Sequence, residues 1–215
     1  MKNQFKINFA IIACILIASP LFGQTQEFDV KGLKVIYKSV PKEIVSARLF
    51  IQGGTANYSL EQSGIEDFAL QLAVTGGTKS KNKLEFSTAL EKMSTTIAAG
   101  TNYDYGQISL RCVKQNWDQS WDLFADAILN PAFEEQQFQL LKDQLIAAAK
   151  QNETDPDQSL LQEAMTNVFK GQNYEKNPNG SEETLSKLTL EELKNYYKNL
   201  VGNSFKSIIK LPFNI

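Results

Sequence analysis

The sequence predicts an α+β fold: one antiparallel sheet with helices packed on one of its faces. Three observations lead there. Stretches that alternate apolar and polar residues precede most of the stretches with helical spacing. The strand-like stretches alternate rather than running solidly apolar, as expected for a sheet with one buried face. The chain also has 215 residues, 42% of them hydrophobic and 21% charged. A chain of that length buries roughly 70% of the surface it exposes when unfolded, enough for a core without staples.

The elements follow in order. Phe28-Asp29-Val30 and Leu33 to Tyr37 read as two strands around a Lys31-Gly32 turn. Val45, Ala47, Leu49 and Ile51 alternate with Ser46, Arg48 and Phe50, a third strand that stops at Gly53-Gly54. From Gly64 the period changes. Ile65, Phe68, Ala69 and Leu72 form one apolar face of a helix ending at Gly76-Gly77. A second helix is expected over 82–94, with Phe86, Leu90 and Met93 inward. Strands follow over 96–102 and 107–113, with Ile108, Leu110 and Cys112 on one face. Asn116, with Gln119 three residues later, is the expected N-cap of a helix whose stripe is Trp117, Trp121, Phe124, Ala125 and Ile128. Asn130-Pro131 ends it. A long helix over 134–152 presents Phe138, Leu141, Leu145, Ala148 and Ala149. After Asp155-Pro156-Asp157, the residues Leu160, Leu161, Ala164 and Val168 keep helical spacing. Thr189-Leu190-Glu191-Glu192 is a capping box for a last helix, and a final strand is expected over 204–211. With no linker or low-complexity tract, residues 24–215 are expected to form a single domain.

Residues 1–23 have the features of a secretory signal peptide. Lys2 and Lys6 precede an unbroken apolar run from Phe9 to Ala18, and Ser19-Pro20 breaks it before Gly23. Ten helical residues span about 15 Å, short of a ~30 Å hydrocarbon core, so no membrane span is expected once the leader is removed. A periplasmic or secreted location follows. Ile11-Ile12-Ala13-Cys14 also fits a lipoprotein cleavage box, but cleavage there would strand apolar residues on the mature chain, so lipid anchoring at Cys14 ranks second. The mature chain then keeps only Cys112, which excludes an internal disulfide. Basic and acidic residues number 22 and 24, and without the leader 20 and 24. Nothing resembles the basic stripe that neutralises nucleic-acid phosphates, and no nucleic-acid partner is expected.

The chain contains no histidine. It cannot by itself supply a Ser-His-Asp triad, a Cys-His dyad or a histidine-based zinc site. Other candidates have structural readings. Glu134-Glu135 and Glu182-Glu183 suit helix starts, where acids complement the helix dipole. Trp117, Trp121 and Phe124 have core spacing. Gly53-Gly54-Thr55 and Gly76-Gly77-Thr78 end elements and do not fit a phosphate-binding loop. Cys112 reads as a buried, inert thiol.

Several short segments, in order, resemble the N-terminal half-domain of the pitrilysin/insulinase family of zinc metallopeptidases. They are Ile51 to Thr55, Gly64-Ile65-Glu66-Asp67, Gly76-Gly77-Thr78, Ala98 to Asp104, Leu129 to Phe133 with Phe138, Asp155-Pro156, and Gly180 to Leu185 with Leu188-Thr189. The resemblance covers about residues 28–210. The family's chemistry needs His-x-x-Glu-His on the first helix: two ligands one turn apart share a zinc ion, and the Glu activates its water. Those positions here hold Asp67, Leu70 and Gln71. The third ligand, a Glu in the family, falls at Ala148 or Ala147. With both histidines, the base and the third ligand replaced, the resemblance implies no zinc, no other cofactor and no peptidase activity. Asp67 and Gln71 then read as the polar edge of an amphipathic helix. The resemblance further implies that peptides add as a strand beside the edge Ala98, Ala99, Gly100, Thr101 and Asn102, a mode that needs no catalytic side chain. The expected partners are an extended peptide and a zinc-bearing subunit of the same family, in a heterodimer. The alternatives are a stand-alone peptide-binding module and a truncated remnant of a longer two-half peptidase.

Overall fold

The computed structural model describes residues 25–30 and 32–204. The expected leader with Cys14, and the strand expected over 204–211 apart from Ser204, lie outside these residues. Two compact units divide the chain, with the break after Lys42.

The first unit is a hairpin. β1 (Thr25–Val30) pairs antiparallel with β2 (Leu33–Lys38), and Val30 stands opposite Leu33. Gly32 carries the turn at φ 86°, and its N–H donates to Asp29 Oδ1 at 2.8 Å.

The second unit holds a three-stranded antiparallel sheet in the order β3-β5-β4, formed by β3 (Ile44–Gln52), β4 (Thr96–Thr101) and β5 (Tyr105–Val113). Its register matches Val45 with Cys112, Ala47 with Leu110 and Leu49 with Ile108, so one apolar face is continuous across the strands. Ile108, Leu110 and Cys112 are buried on that face, and burial pushes the Cys112 thiol up in pKa. The strand expected from residue 107 begins two residues earlier. The one expected to 102 ends at Thr101, because Asn102 enters the turn and its N–H donates to Tyr105 O.

α1 (Ile65–Thr75) is buried on nearly every side rather than along one stripe. Phe68 stacks on Phe138 with ring centres 5.0 Å apart. Burying a side chain such as Phe68 or Leu72 contributes roughly 1.5–3 kcal/mol. α2 (Lys83–Lys92) opens with a complete Asn82–Glu85 capping box. Of its three expected inward residues only Phe86 is fully buried. α3 (Trp117–Leu129) buries Trp117, Trp121 and Phe124 against one another, the core arrangement expected of them. Asn116 does not cap it. A short 3-10 turn over Lys114–Asn116 precedes the helix, and the Asn116 amide donates to Met93 O at 2.8 Å.

α4 (Glu135–Thr154) buries Phe138, Leu141 and Ala149; Leu145 is half-buried and Ala148 is exposed. Asp155 caps α5 (Pro156–Val168) by accepting from the N–H groups of Asp157 and Gln158, and Pro156 takes the first helical position. The apolar stripe expected on α5 is present, yet none of its residues is buried. α6 (Glu182–Lys187) is capped by Ser181, and its acidic start pairs Glu182 with Lys150 and Glu183 with Lys187. Thr189 and Glu192 form the expected capping exchange at the start of α7 (Leu190–Ser204). α7 packs on α1, and the Tyr197 hydroxyl donates to Ile128 O at 2.8 Å. Among the described residues no helix is long and apolar enough to cross a membrane.

Candidate functional site

The first turn of α1 is built by close backbone approach. Gly64 (φ 90°) precedes it and touches the segment that ends at Gly180 (φ 77°). A Cβ on Gly64 would lie 2.8 Å from Gly180 Cα, so the two backbone segments meet only because neither glycine carries a side chain. This contact brings Pro178 and Asn179 over the start of the helix, beside the end of β4.

Asp67, at the family's first ligand position, is 1% exposed and not a polar edge residue. It is inside because this part of α1 is covered, including by the 177–180 segment. Gln71, one turn later and half-buried, donates from Nε2 to Asp67 Oδ2 at 2.7 Å. The side chains of Asn179 and Thr101 also stand beside the carboxylate and favour its charged form. Burial pushes the Asp67 carboxyl above its ordinary range, and these partners oppose the shift. The two positions that would share a zinc ion thus share a hydrogen bond. Leu70, at the base position, is fully buried and can neither take nor give a proton. Ala148 and Ala147, the candidate third-ligand positions, are exposed on α4 and offer no donor atom. These residues do not fit a zinc ion, and among the described residues no three metal-ligating side chains converge.

A second buried cluster lies next to this one. Glu66 is 0% exposed. Its Oε2 accepts from Asn57 Nδ2 at 3.0 Å and from the Tyr196 hydroxyl, while Oε1 has no partner. Burial drives the Glu66 carboxyl up, and the hydroxyls of Tyr58 and Tyr196 rise with it, each mainly through its own burial. Lys176 ties the cluster shut. Its Nζ donates to Thr55 O at 2.7 Å and Tyr58 O at 2.6 Å, 5.6 Å above the Tyr58 ring. Nothing in the spacing of Glu66 marks it, because an acid in the first turn reads as a dipole partner. The available signal is Gly106, the second residue of β5, where a Cβ would lie 2.5 Å from Glu66 Oε1.

The candidate peptide edge is β4. It pairs with β5 on one side and with no strand on the other among the described residues. Ala98, Ala99 and Gly100 lie on that edge. Thr101 ends it and donates through Oγ1 to Pro178 O at 3.3 Å, and Asn102 lies in the turn beyond.

Comparison with known proteins accords with this geometry. The sequence model described as insulinase (peptidase family M16) matches residues 34–180, well over half of the chain. A protein of Helicobacter pylori (strain ATCC 700392 / 26695) named "Non-peptidase homolog YmxG" is 23% identical over 175 residues, covering 80% of this chain and 40% of that one. An "Uncharacterized zinc protease" of Rickettsia felis is 23% identical over 161 residues, 74% of this chain and 39% of that one. The chain therefore spans about two fifths of the length of the curated relatives it matches. Among solved structures, an inactive peptidase M16 domain from Pseudomonas fluorescens superposes with a TM-score of 0.73 at 19% identity, over 80% of this chain and 42% of that one. A protease from Helicobacter pylori gives 0.74 at 19% identity, over 83% and 43%. These likenesses show the fold, a mixed half-domain with an antiparallel sheet, and the matched sequence model shows the lineage: this chain belongs to the insulinase family, peptidase family M16.

Proposed function

We propose that this chain is a non-catalytic insulinase-family protein of the cell envelope, a peptide-holding or structural partner of a separate, zinc-bearing subunit of the same family. The observation that carries this reading is the Gln71–Asp67 hydrogen bond, with buried Leu70 between its two partners, where the family's motif would hold a metal and a base. The names of two relatives, a non-peptidase homolog and an inactive domain, support the loss of catalysis. The open side of β4 supports peptide holding, since main-chain pairing needs an edge and no reactive group. The envelope location rests on the leader read from the sequence.

The test is the composition of the tagged full chain, purified gently from the envelope of its source cell. A stoichiometric second chain carrying His-x-x-Glu-His is the expected result. A protein that never associates with such a chain overturns the proposal. If that lone protein retains an extended peptide at micromolar affinity, the β4 edge makes it a stand-alone binding module instead.

A further inference from the structure

The outward face of the three-stranded sheet and the apolar side of α5 are, among the described residues, two uncovered surfaces of opposite charge, and we propose that they cover each other between two copies of this chain. Alternation sends Ile44, Arg48 and Phe50 of β3, with Ser109 and Arg111 of β5, to the side away from the buried face. Phe50 is 55% exposed and Ile44 41%. Arg48 and Arg111 are the only arginines in the chain, and both stand on this face. The register places Arg48 opposite Ser109, so Arg111 is its diagonal neighbour. Neither forms an ion pair among the described residues, and no acidic residue alternates onto the same face. Ser109 and Ala98 leave the middle of the face low, so another element can approach closely.

The second surface has the opposite character. α5 is a 13-residue helix with no buried residue. Leu160, Leu161, Ala164 and Val168 share one side of it, and Leu160, Leu161 and Val168 are 68%, 59% and 71% exposed. Asp157 lies one turn before Leu160 and Leu161 on that same side. Glu163 is the other charge on the helix, which has no basic residue. A helix this short is marginal in water by itself, and its apolar side has no cover within the described chain.

The two surfaces match in size as well as in charge. Thirteen helical residues run about 20 Å, and the helix is about 10–12 Å across. Strands of six to nine residues run about 20–30 Å, and three of them span about 10 Å. An arginine fork recognises a carboxylate better than a lysine would. Contact between like faces would set arginines against arginines or acids against acids. The unlike faces must therefore meet, and two copies can exchange both contacts reciprocally. This association is independent of any zinc-bearing partner, and its test uses only the purified chain.

The full chain, 24.1 kDa, is measured by light scattering and sedimentation at up to about 100 µM, enough to populate a contact of roughly micromolar Kd. The mass is expected to rise with concentration above that of one chain, and to fall back in about 0.5 M salt. R48E/R111E and D157K/E163K should each be monomeric, with unchanged circular dichroism because all four positions are exposed. Mixing these two variants should restore association, since each then offers the face the other lacks. A wild-type chain that stays monomeric at the highest concentration overturns the proposal. So does a charge-reversed variant that associates as wild type does, or a mixture that remains monomeric.

Discussion

The Glu66 carboxylate accepts from Asn57 and Tyr196 through one oxygen and has no partner on the other, at zero exposure. Burial raises its pKa in the folded state, and that of Asp67 beside it. The folded protein therefore holds protons that the unfolded chain has released. The stability this provides is complete below the ordinary carboxyl values and is lost as pH rises through the folded ones. Glu66→Gln removes one of these two titrations. In urea unfolding, E66Q should gain on the wild type as pH rises and lose that advantage in acid, with a smaller slope remaining from Asp67. A difference between the two proteins that does not change with pH would reject this account. Gly106 supplies a second check on the same contact, because a Cβ there meets Glu66 Oε1 at 2.5 Å and Leu70 Cδ1 at 2.8 Å. Gly106→Ala should cost roughly 1–3 kcal/mol by overpacking. The cost should shrink in an E66A background, a coupling above about 0.5 kcal/mol in a double-mutant cycle. Additive costs would mean that Glu66 is not what fills the space over Gly106.

Among the elements, the segment 173–180 holds the emptied centre closed, and one lysine does much of the holding. Lys176 reaches Thr55 O and Tyr58 O, while Tyr174 donates to Asp104 at 2.6 Å. Lys176→Met keeps the apolar stem and leaves two carbonyls without a donor. It should cost about 1.5–3 kcal/mol, the range for hydrogen bonds to a charged group. Hydrogen exchange should quicken at Ala56 and along 173–178, while β5 keeps its protection. Uniform loss of protection would show that Lys176 acts on global stability and not as a local strap. Elements set by local chemistry were the legible ones. The Thr189–Glu192 exchange could be read from spacing, because capping needs only residues three apart. Asn116 had the same spacing and failed, since it ends a 3-10 turn at φ −102° and ψ 8° rather than in the extended backbone a cap needs, and its Nδ2 donates to Met93 O, 23 residues away in sequence. The α5 stripe was legible as a helix, but spacing does not say what covers an apolar side.

At the scale of the molecule, strand alternation and helix order sufficed to reach an α+β fold with an antiparallel sheet, while the half-domain came from the resemblance of its short segments to the family. The site was legible only as a set of absences: no histidine, Leu70 in place of a base, Ala148 or Ala147 in place of a ligand. What replaced the metal was only partly legible: Gln71 lies one turn from Asp67 on the same helix, whereas Thr101 and Asn179 come to it from 34 and 112 residues further along the chain. That replacement has a consequence for the whole protein. If the fold depended on zinc, removing it would lower stability by the full binding free energy. Hydrogen bonds and packing already fill this centre, so a chelator should leave the Tm unchanged. The added-metal arm has comparable resolving power. A site of about 1 µM Kd would stabilise the chain by about 2.7 kcal/mol at about 100 µM zinc. For a chain of this size that is a Tm increase of roughly 5–10 °C, well above the error of a calorimetric scan. The expected result is no such rise in the wild type. Asp67→His with Gln71→His offers two ligands one turn apart and should gain a zinc-dependent rise, though not peptidase activity, since Leu70 still cannot activate water. A wild-type Tm that climbs with zinc or falls with chelator would mean that Asp67 recruits ligands beyond those that surround it here.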